Sequence, residues 1–181
     1  MYTSDQGFFL GEHGWYDKRF MFEESLQMPF VMRYPQEIKP GKVSTDMIIN
    51  NDFAPTFLDY CGVEAKERMQ GESFRAIAKG EKPEDWRDAV YYRYWEHLTI
   101  HNVTAHYGVR TDRYKLIHYY GDPLDVIGAV PKPMEPEWEL FDLEKDPLEL
   151  KNEYDNPAYA ETVIELKDKL KRLREQYNET V

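Results

Sequence analysis

Asp5 and Gln6 set a carboxylate and a side-chain amide next to each other. Hard divalent cations such as calcium take oxygen donors of this kind. Gly7 follows and lets the chain turn sharply after them. The same three residues also suit a solvated turn, and residue chemistry alone leaves both readings open. His13 and Lys18 come shortly after. A lysine ammonium is a compact point charge that can neutralise one oxygen of a bound oxyanion. An imidazole can donate to a leaving group or hold a loop. Taken singly, each also suits an ordinary surface position. A third cluster, His97 to Gly108, is dense in hydrogen-bonding groups and aromatics. Sugar sites combine polar groups for hydroxyls with flat rings for stacking. His101 and His106 are the candidates there, with local pairing in strand and loop as the equal alternative.

The wider charge pattern limits what these residues can meet. The chain has 23 Lys and Arg against 34 Asp and Glu, a net charge of −11. Such a field repels nucleic acid and anionic membrane, so neither is an expected partner. It draws in no anionic substrate, so a sulfate or phosphate would need a local metal ion or a few chosen cations. Cys61 is the only cysteine, which excludes an intrachain disulfide and a Cys-rich zinc site. On an apolar helix face it is expected to be a small buried hydrophobe. No apolar run approaches membrane-spanning length, and the opening Met1-Tyr2-Thr3-Ser4-Asp5 is too polar for a secretory signal.

Elements that could position these groups follow from periodicity and punctuation. Residues 1–40 read as mostly irregular, broken by Gly7, Gly11 and Gly14. Phe30 to Tyr34 reads as a short strand stopped by Pro35. A helix is predicted from about Asn51 to Cys61, capped by Asn51 or Asp52. Phe53, Phe57, Leu58 and Cys61 would share its face, and Gly62 would end it. Gly71 to Gly80 reads as a loop and a helical turn. Strands are predicted at Asp88–His97, Ala105–Arg110, Tyr114–Tyr120 and Glu137–Leu143. Thr111-Asp112-Arg113 makes a tight hairpin, and the proline-rich residues 121–136 form an excursion loop. Tyr91, Tyr92, Tyr94 and Trp95 read as sheet packing. Asn156-Pro157 opens a long helix, with Val163, Leu166, Leu170, Leu173 and Tyr177 in one apolar stripe. The fold class is α+β, a small antiparallel sheet with a long C-terminal helix on one face.

Together the early residues are far more specific than apart. Thr3-Ser4-Asp5-Gln6-Gly7, Leu10-Gly11-Glu12-His13-Gly14, Lys18 and Pro29-Phe30-Val31 closely resemble the C-terminal signature of the sulfatases, in the alkaline-phosphatase-like superfamily. The resemblance runs along the whole chain. It continues through Asn51 to Leu58, Gly71-Glu72-Ser73-Phe74, Lys79-Gly80-Glu81, Val109 to Ile117, Trp138 to Leu143 and Asp146-Pro147. It implies that Asp5 and Gln6 are calcium ligands, that Lys18 contacts the sulfate group and that His13 has a less uniform catalytic role. The spacing from His97 to Gly108 resembles bacterial sulfatases of glycans, of the N-acetylglucosamine-6-sulfatase or iduronate-sulfatase kind. It implies a sulfated sugar as substrate, with His101 and His106 beside it, and a periplasmic or secreted parent. Residues 1–85 would then be the tail of an α/β catalytic domain, and 86–181 the C-terminal subdomain.

The family nucleophile is a formylglycine made from Cys or Ser in Cys/Ser-x-Pro-x-Arg, and no such motif occurs here. The expectation is therefore a chain that lacks its N-terminal catalytic part, is inactive alone, and self-associates through an exposed core face. A phosphodiesterase or phosphonate hydrolase of the same superfamily is the nearest alternative. Gln6 argues against it, since a neutral amide oxygen suits calcium better than zinc. A non-catalytic binding or assembly module is the third.

Overall fold

The computed structural model describes residues 1–179. In chain order its elements are β1 (Tyr2–Thr3), β2 (Phe9–Leu10), β3 (Tyr16–Asp17), α1 (Glu23–Leu26), β4 (Phe30–Val31), α2 (Phe53–Tyr60), α3 (Arg75–Lys79), β5 (Ala89–Tyr94), β6 (His106–Thr111), β7 (Tyr114–Tyr119), β8 (Glu137–Asp142) and α4 (Ala160–Gln176). Two compact units form. One contains Met1–Asp5 and Pro29–Asp88, the other Gln6–Met28 and the described residues from Ala89 onward. The segment Gln6–Met28 thus clusters with the later sheet rather than with the residues around it in sequence.

The second unit is built on a four-stranded sheet of order β5-β6-β7-β8, antiparallel throughout. Alternation along each strand sends side chains to opposite faces. Ala89, Val109, Leu116 and Leu140 face α4 and meet Val163, Leu166 and Leu170, the buried part of its predicted stripe. Asn156 opens that helix by accepting a hydrogen bond from Ala158 N–H. On the opposite face Ile117 and Phe141 pack against Met21, Phe22 and Leu26. The segment Gln6–Met28 therefore packs, through Met21, Phe22 and Leu26, on the sheet face that α4 leaves open. Gly108 makes room for it, since a Cβ there would stand 2.6 Å from Met21 Sδ and 2.4 Å from Leu116 O.

The first unit contains the two-stranded pairing β1-β4, then α2 and α3. Its core is Phe74, Ile77 and Trp86, with Phe30, Met32, Ile48 and Phe53 packed against it. The predicted helix is present, but only part of its expected face is covered: Phe53 packs on the core and Leu58 is half-buried. Phe57 is about half exposed and Cys61 is exposed, while Pro55 and Thr56 are buried. The helix is anchored through polar groups instead. Thr56 Oγ1 donates to Asp52 O (2.6 Å) and accepts from Phe74 N–H (3.0 Å). The fully buried Asp52 carboxylate accepts from the backbone N–H groups of Ile49 and Glu72, and it pairs with Arg87. A buried carboxylate is tolerated when its oxygens are so supplied. No helix among the described residues is long and apolar enough to cross a membrane.

Candidate functional site

The turn at Gln6-Gly7 is fixed from α1. Gly7 N–H donates to Ser25 O (2.8 Å), and Gln6 Nε2 donates to the buried Ser25 Oγ (2.9 Å). A Cβ on Gly7 would lie 2.1 Å from Glu24 O and 2.8 Å from Gln27 O, so only glycine fits that approach. Asp5 belongs to the first unit, where its carbonyl accepts from Asn50 Nδ2 (2.5 Å). Asp5 and Gln6 supply oxygen donors of the type calcium takes. Two are fewer than the about six to eight that calcium needs. Among the described residues no three His, Cys, Asp or Glu side chains gather as a metal ion would require.

Lys18 follows the hairpin of β2 and β3, and its neighbours are locked in place. Its backbone N–H donates to Asp17 Oδ1 (2.7 Å). His101 Nδ1 lies 2.5 Å from Asp17 Oδ2, and His101 Nε2 lies 3.0 Å from Arg19 Nη2. Arginine only donates, so Nε2 accepts and the imidazole proton sits on Nδ1, facing Asp17. Arg19 Nη1 adds an ion pair with Asp17 (3.5 Å) and donates to Lys18 O (2.6 Å). Partial burial works to raise the Asp17 carboxyl. The Lys18 N–H, His101 and Arg19 outweigh it and hold the group below its usual range. A lysine flanked on both sides by residues tied to one histidine has little backbone freedom.

His13 occupies a left-handed backbone position (φ 53°, ψ 17°) in a single 3-10 turn, Glu12–Gly14. Its ring packs on Phe22 (4.5 Å between centroids), and Nε2 lies 3.6 Å from Glu24 Oε2. These contacts suit holding the loop against α1.

The two histidines expected beside substrate part company. His101 joins the cluster around Lys18. His106 is fully buried at the start of β6, with its ring among Phe20, Tyr92, Tyr94 and Tyr119. The expected substrate contact at His106 therefore meets an interior placement. Its partner is a backbone carbonyl, Thr104 O (2.7 Å), and burial pushes its pKa down to about 4. His97 is buried as well. It accepts from Ala105 N–H (3.2 Å) and donates to Lys132 O (2.9 Å), pinning the proline-rich loop.

A pH dependence follows from His106. A histidine kept neutral in the fold, with a folded pKa below its unfolded value, contributes stability that is present above the unfolded pKa. That stability is lost as pH falls from about 6.5 toward about 4. Two-dimensional NMR of the ring Cε1 protons is expected to show His106 unprotonated in the folded chain at pH 6.5, and gaining its proton only as pH approaches about 4. A His106 resonance titrating near 6.5 would contradict this burial.

Asp17 and Arg19 were not among the residues that spacing singled out. Their signal was adjacency to Lys18, but the histidine that unites them lies more than 80 residues further on.

Residues 11–176 match the family described as N-sulphoglucosamine sulphohydrolase, C-terminal. The chain is 46% identical, over 99% of its length, to N-acetylglucosamine-6-O-sulfatase of Bacteroides thetaiotaomicron, covering 30% of that protein. It is 30% identical, over 91% of its length, to an ulvan-active sulfatase of Formosa agariphila, covering 32% of that protein. A solved structure of a protein in complex with its substrate D-glucosamine-2-N,6-O-disulfate superposes with a TM-score of 0.89 at 46% identity. It covers 99% of this chain and 34% of that one. The chain thus spans about a third of the length of these relatives.

Proposed function

The chain belongs to the sulfatase family, matching the C-terminal region of its members, and from that membership we propose that it supplies part of the sulfate-ester site of a longer glycan sulfatase. The identity of 46% along nearly the whole chain to an N-acetylglucosamine-6-O-sulfatase carries this reading. It also favours sulfate esters over the phosphonate alternative.

In this proposal Lys18 neutralises a sulfate oxygen. Sulfate presents several anionic oxygens, and a point charge held on a rigid backbone stabilises the charge that shifts during ester cleavage. Asp17, Arg19 and His101 stand beside it as the part of the site that reads the sugar. Guanidinium N–H groups and an imidazole tied to a carboxylate are well suited to fixed hydroxyl or anionic groups. His106 supports that region from beneath rather than touching the sugar. His13 keeps its loop against Phe22 and Glu24. Asp5 and Gln6 contribute oxygen donors to a calcium ion whose remaining ligands come from other residues of the longer protein. Bound calcium would hold and polarise the sulfate. The nucleophile also lies elsewhere, since no Cys/Ser-x-Pro-x-Arg is present.

The purified chain, given calcium and 4-nitrocatechol sulfate, is expected to release no 4-nitrocatechol. Joined to an upstream part that carries the formylglycine motif, it is expected to turn the ester over. Turnover by the chain alone would overturn the assignment of its role.

A further inference from the structure

The Gln6 side chain ends in two atoms of opposite use. Its oxygen can ligate a hard cation, while its nitrogen carries two hydrogens and only donates. Which atom is offered to a metal depends on how the amide is held. One hold is the buried Ser25, whose Oγ accepts from Gln6 Nε2 (2.9 Å). A serine hydroxyl both donates and accepts, so Ser25 alone would hold the amide either way round. The second hold comes from the sheet. Tyr92 stands in β5 opposite Gly108, and its ring packs on the cluster of Met21, Ile117 and Phe141. Its hydroxyl donates to Arg19 O (3.0 Å) and is also hydrogen-bonded to the Gln6 side chain. A tyrosine has one hydroxyl proton, and here that proton goes to Arg19. Toward Gln6 the hydroxyl can then only accept, so the amide must present its nitrogen. The two N–H groups of that nitrogen serve Ser25 and Tyr92.

We propose that Tyr92 is a positioning residue for calcium: its hydroxyl, committed as a donor to Arg19 O, fixes the amide so that Gln6 offers Oε1 rather than Nε2 to the metal. This role rests on Gln6 being a calcium ligand, and it names the residue that decides which amide atom serves. Hydrogen-bonded partners of metal ligands typically contribute about 10–100-fold in metal affinity. Tyr92 reads in the sequence as sheet packing, and its ring does pack there. The hydroxyl at the end of that ring carries the further role.

Two measurements test it. In the 181-residue chain without metal, NMR is expected to show both Gln6 side-chain amide protons protected from solvent exchange. Tyr92→Phe is expected to abolish that protection for one of the two, with far-UV circular dichroism confirming the fold. In the polypeptide joined to its upstream part, calcium titration is expected to find Tyr92→Phe about 10–100-fold weaker than wild type. Gln6→Glu puts an oxygen at either end of the group, so its orientation no longer matters. Adding Tyr92→Phe to Gln6→Glu is therefore expected to cost less than about threefold. An equal loss in both backgrounds would mean that Tyr92 only supports the fold, and would overturn the proposal. Exchange-exposed Gln6 amide protons in the wild-type chain, or undiminished calcium affinity in Tyr92→Phe, would overturn it too. A wild-type joined polypeptide that binds no calcium while those protons are protected would overturn the calcium reading itself, and this role with it.

Discussion

Lys115→Met is expected to destabilise the chain by about 3–5 kcal/mol, the usual cost of leaving a buried charge without its partner. Lys115 is fully buried on the sheet face that packs against Met21, Phe22 and Leu26. Its Nζ lies 2.6 Å from Glu149 Oε1 and 3.0 Å from Glu23 Oε1. Arg110 adds a second cation to Glu23 at 3.1 Å, and Glu149 also accepts the backbone N–H of Glu23 (2.7 Å). The two carboxyls respond differently. Burial works to raise Glu23, yet Lys115 and Arg110 together hold it below its ordinary value. Glu149 is also pushed up by burial, and with Lys115 as its cation it stays raised.

Methionine fills the lysine's volume but leaves these carboxylates facing each other. Their folded pKa values then rise above the unfolded ones. The remaining stability is fully present below the unfolded value and is lost as pH rises through the folded value. Urea unfolding of the variant should therefore show most of the loss at neutral pH and a partial recovery on acidification. Lys115→Met with Glu149→Gln removes one stranded charge but keeps an acceptor for Glu23 N–H, so it should recover part of the loss. A change below about 1 kcal/mol in the single variant would mean that water reaches this cluster and that it does not anchor α1.

Lys18→Ala, made in a polypeptide joining this chain to the upstream motif, is expected to lower kcat/KM for a sulfate ester by about 10²–10³-fold. Losses of that size follow removal of one charge-stabilising donor from a reacting oxyanion. Far-UV circular dichroism of the same variant should show the fold retained, since Asp17, Arg19 and His101 hold the surrounding backbone through one another. A reduction of less than about tenfold would remove Lys18 from the sulfate contact.

The later sheet and its helix were legible because their signals are local. Alternation in Tyr114–Tyr119 and the 3,4 spacing from Val163 to Leu173 can be read within one element. The face of α2 was not legible. Asp52 and Thr56 are buried because backbone groups of Glu72 and Phe74, some 20 residues on, satisfy them. Polar residues read as exposed until those partners are known, and apolar Phe57 and Cys61 read as buried in their stead. Within the candidate site, Asp5, Gln6 and Lys18 stood out through the family signature. His101 and His106 looked equivalent, since both lie in one polar stretch. The start of β6 separates them: His101 lies in a turn before that strand, whereas His106 opens it and shares a face with Gly108 and Arg110, the side that Phe20 and Met21 cover. Asp17 and Arg19 became visible only when the fold brought His101 to them.

The central proposal is that this chain donates Asp5 and Gln6 to the calcium site of a longer sulfatase. Metal analysis of the joined polypeptide, after dialysis against calcium, tests it most directly. The wild type is expected to retain calcium, and Asp5→Ala is expected to lose it while keeping the fold. Undiminished calcium in Asp5→Ala would contradict the claim.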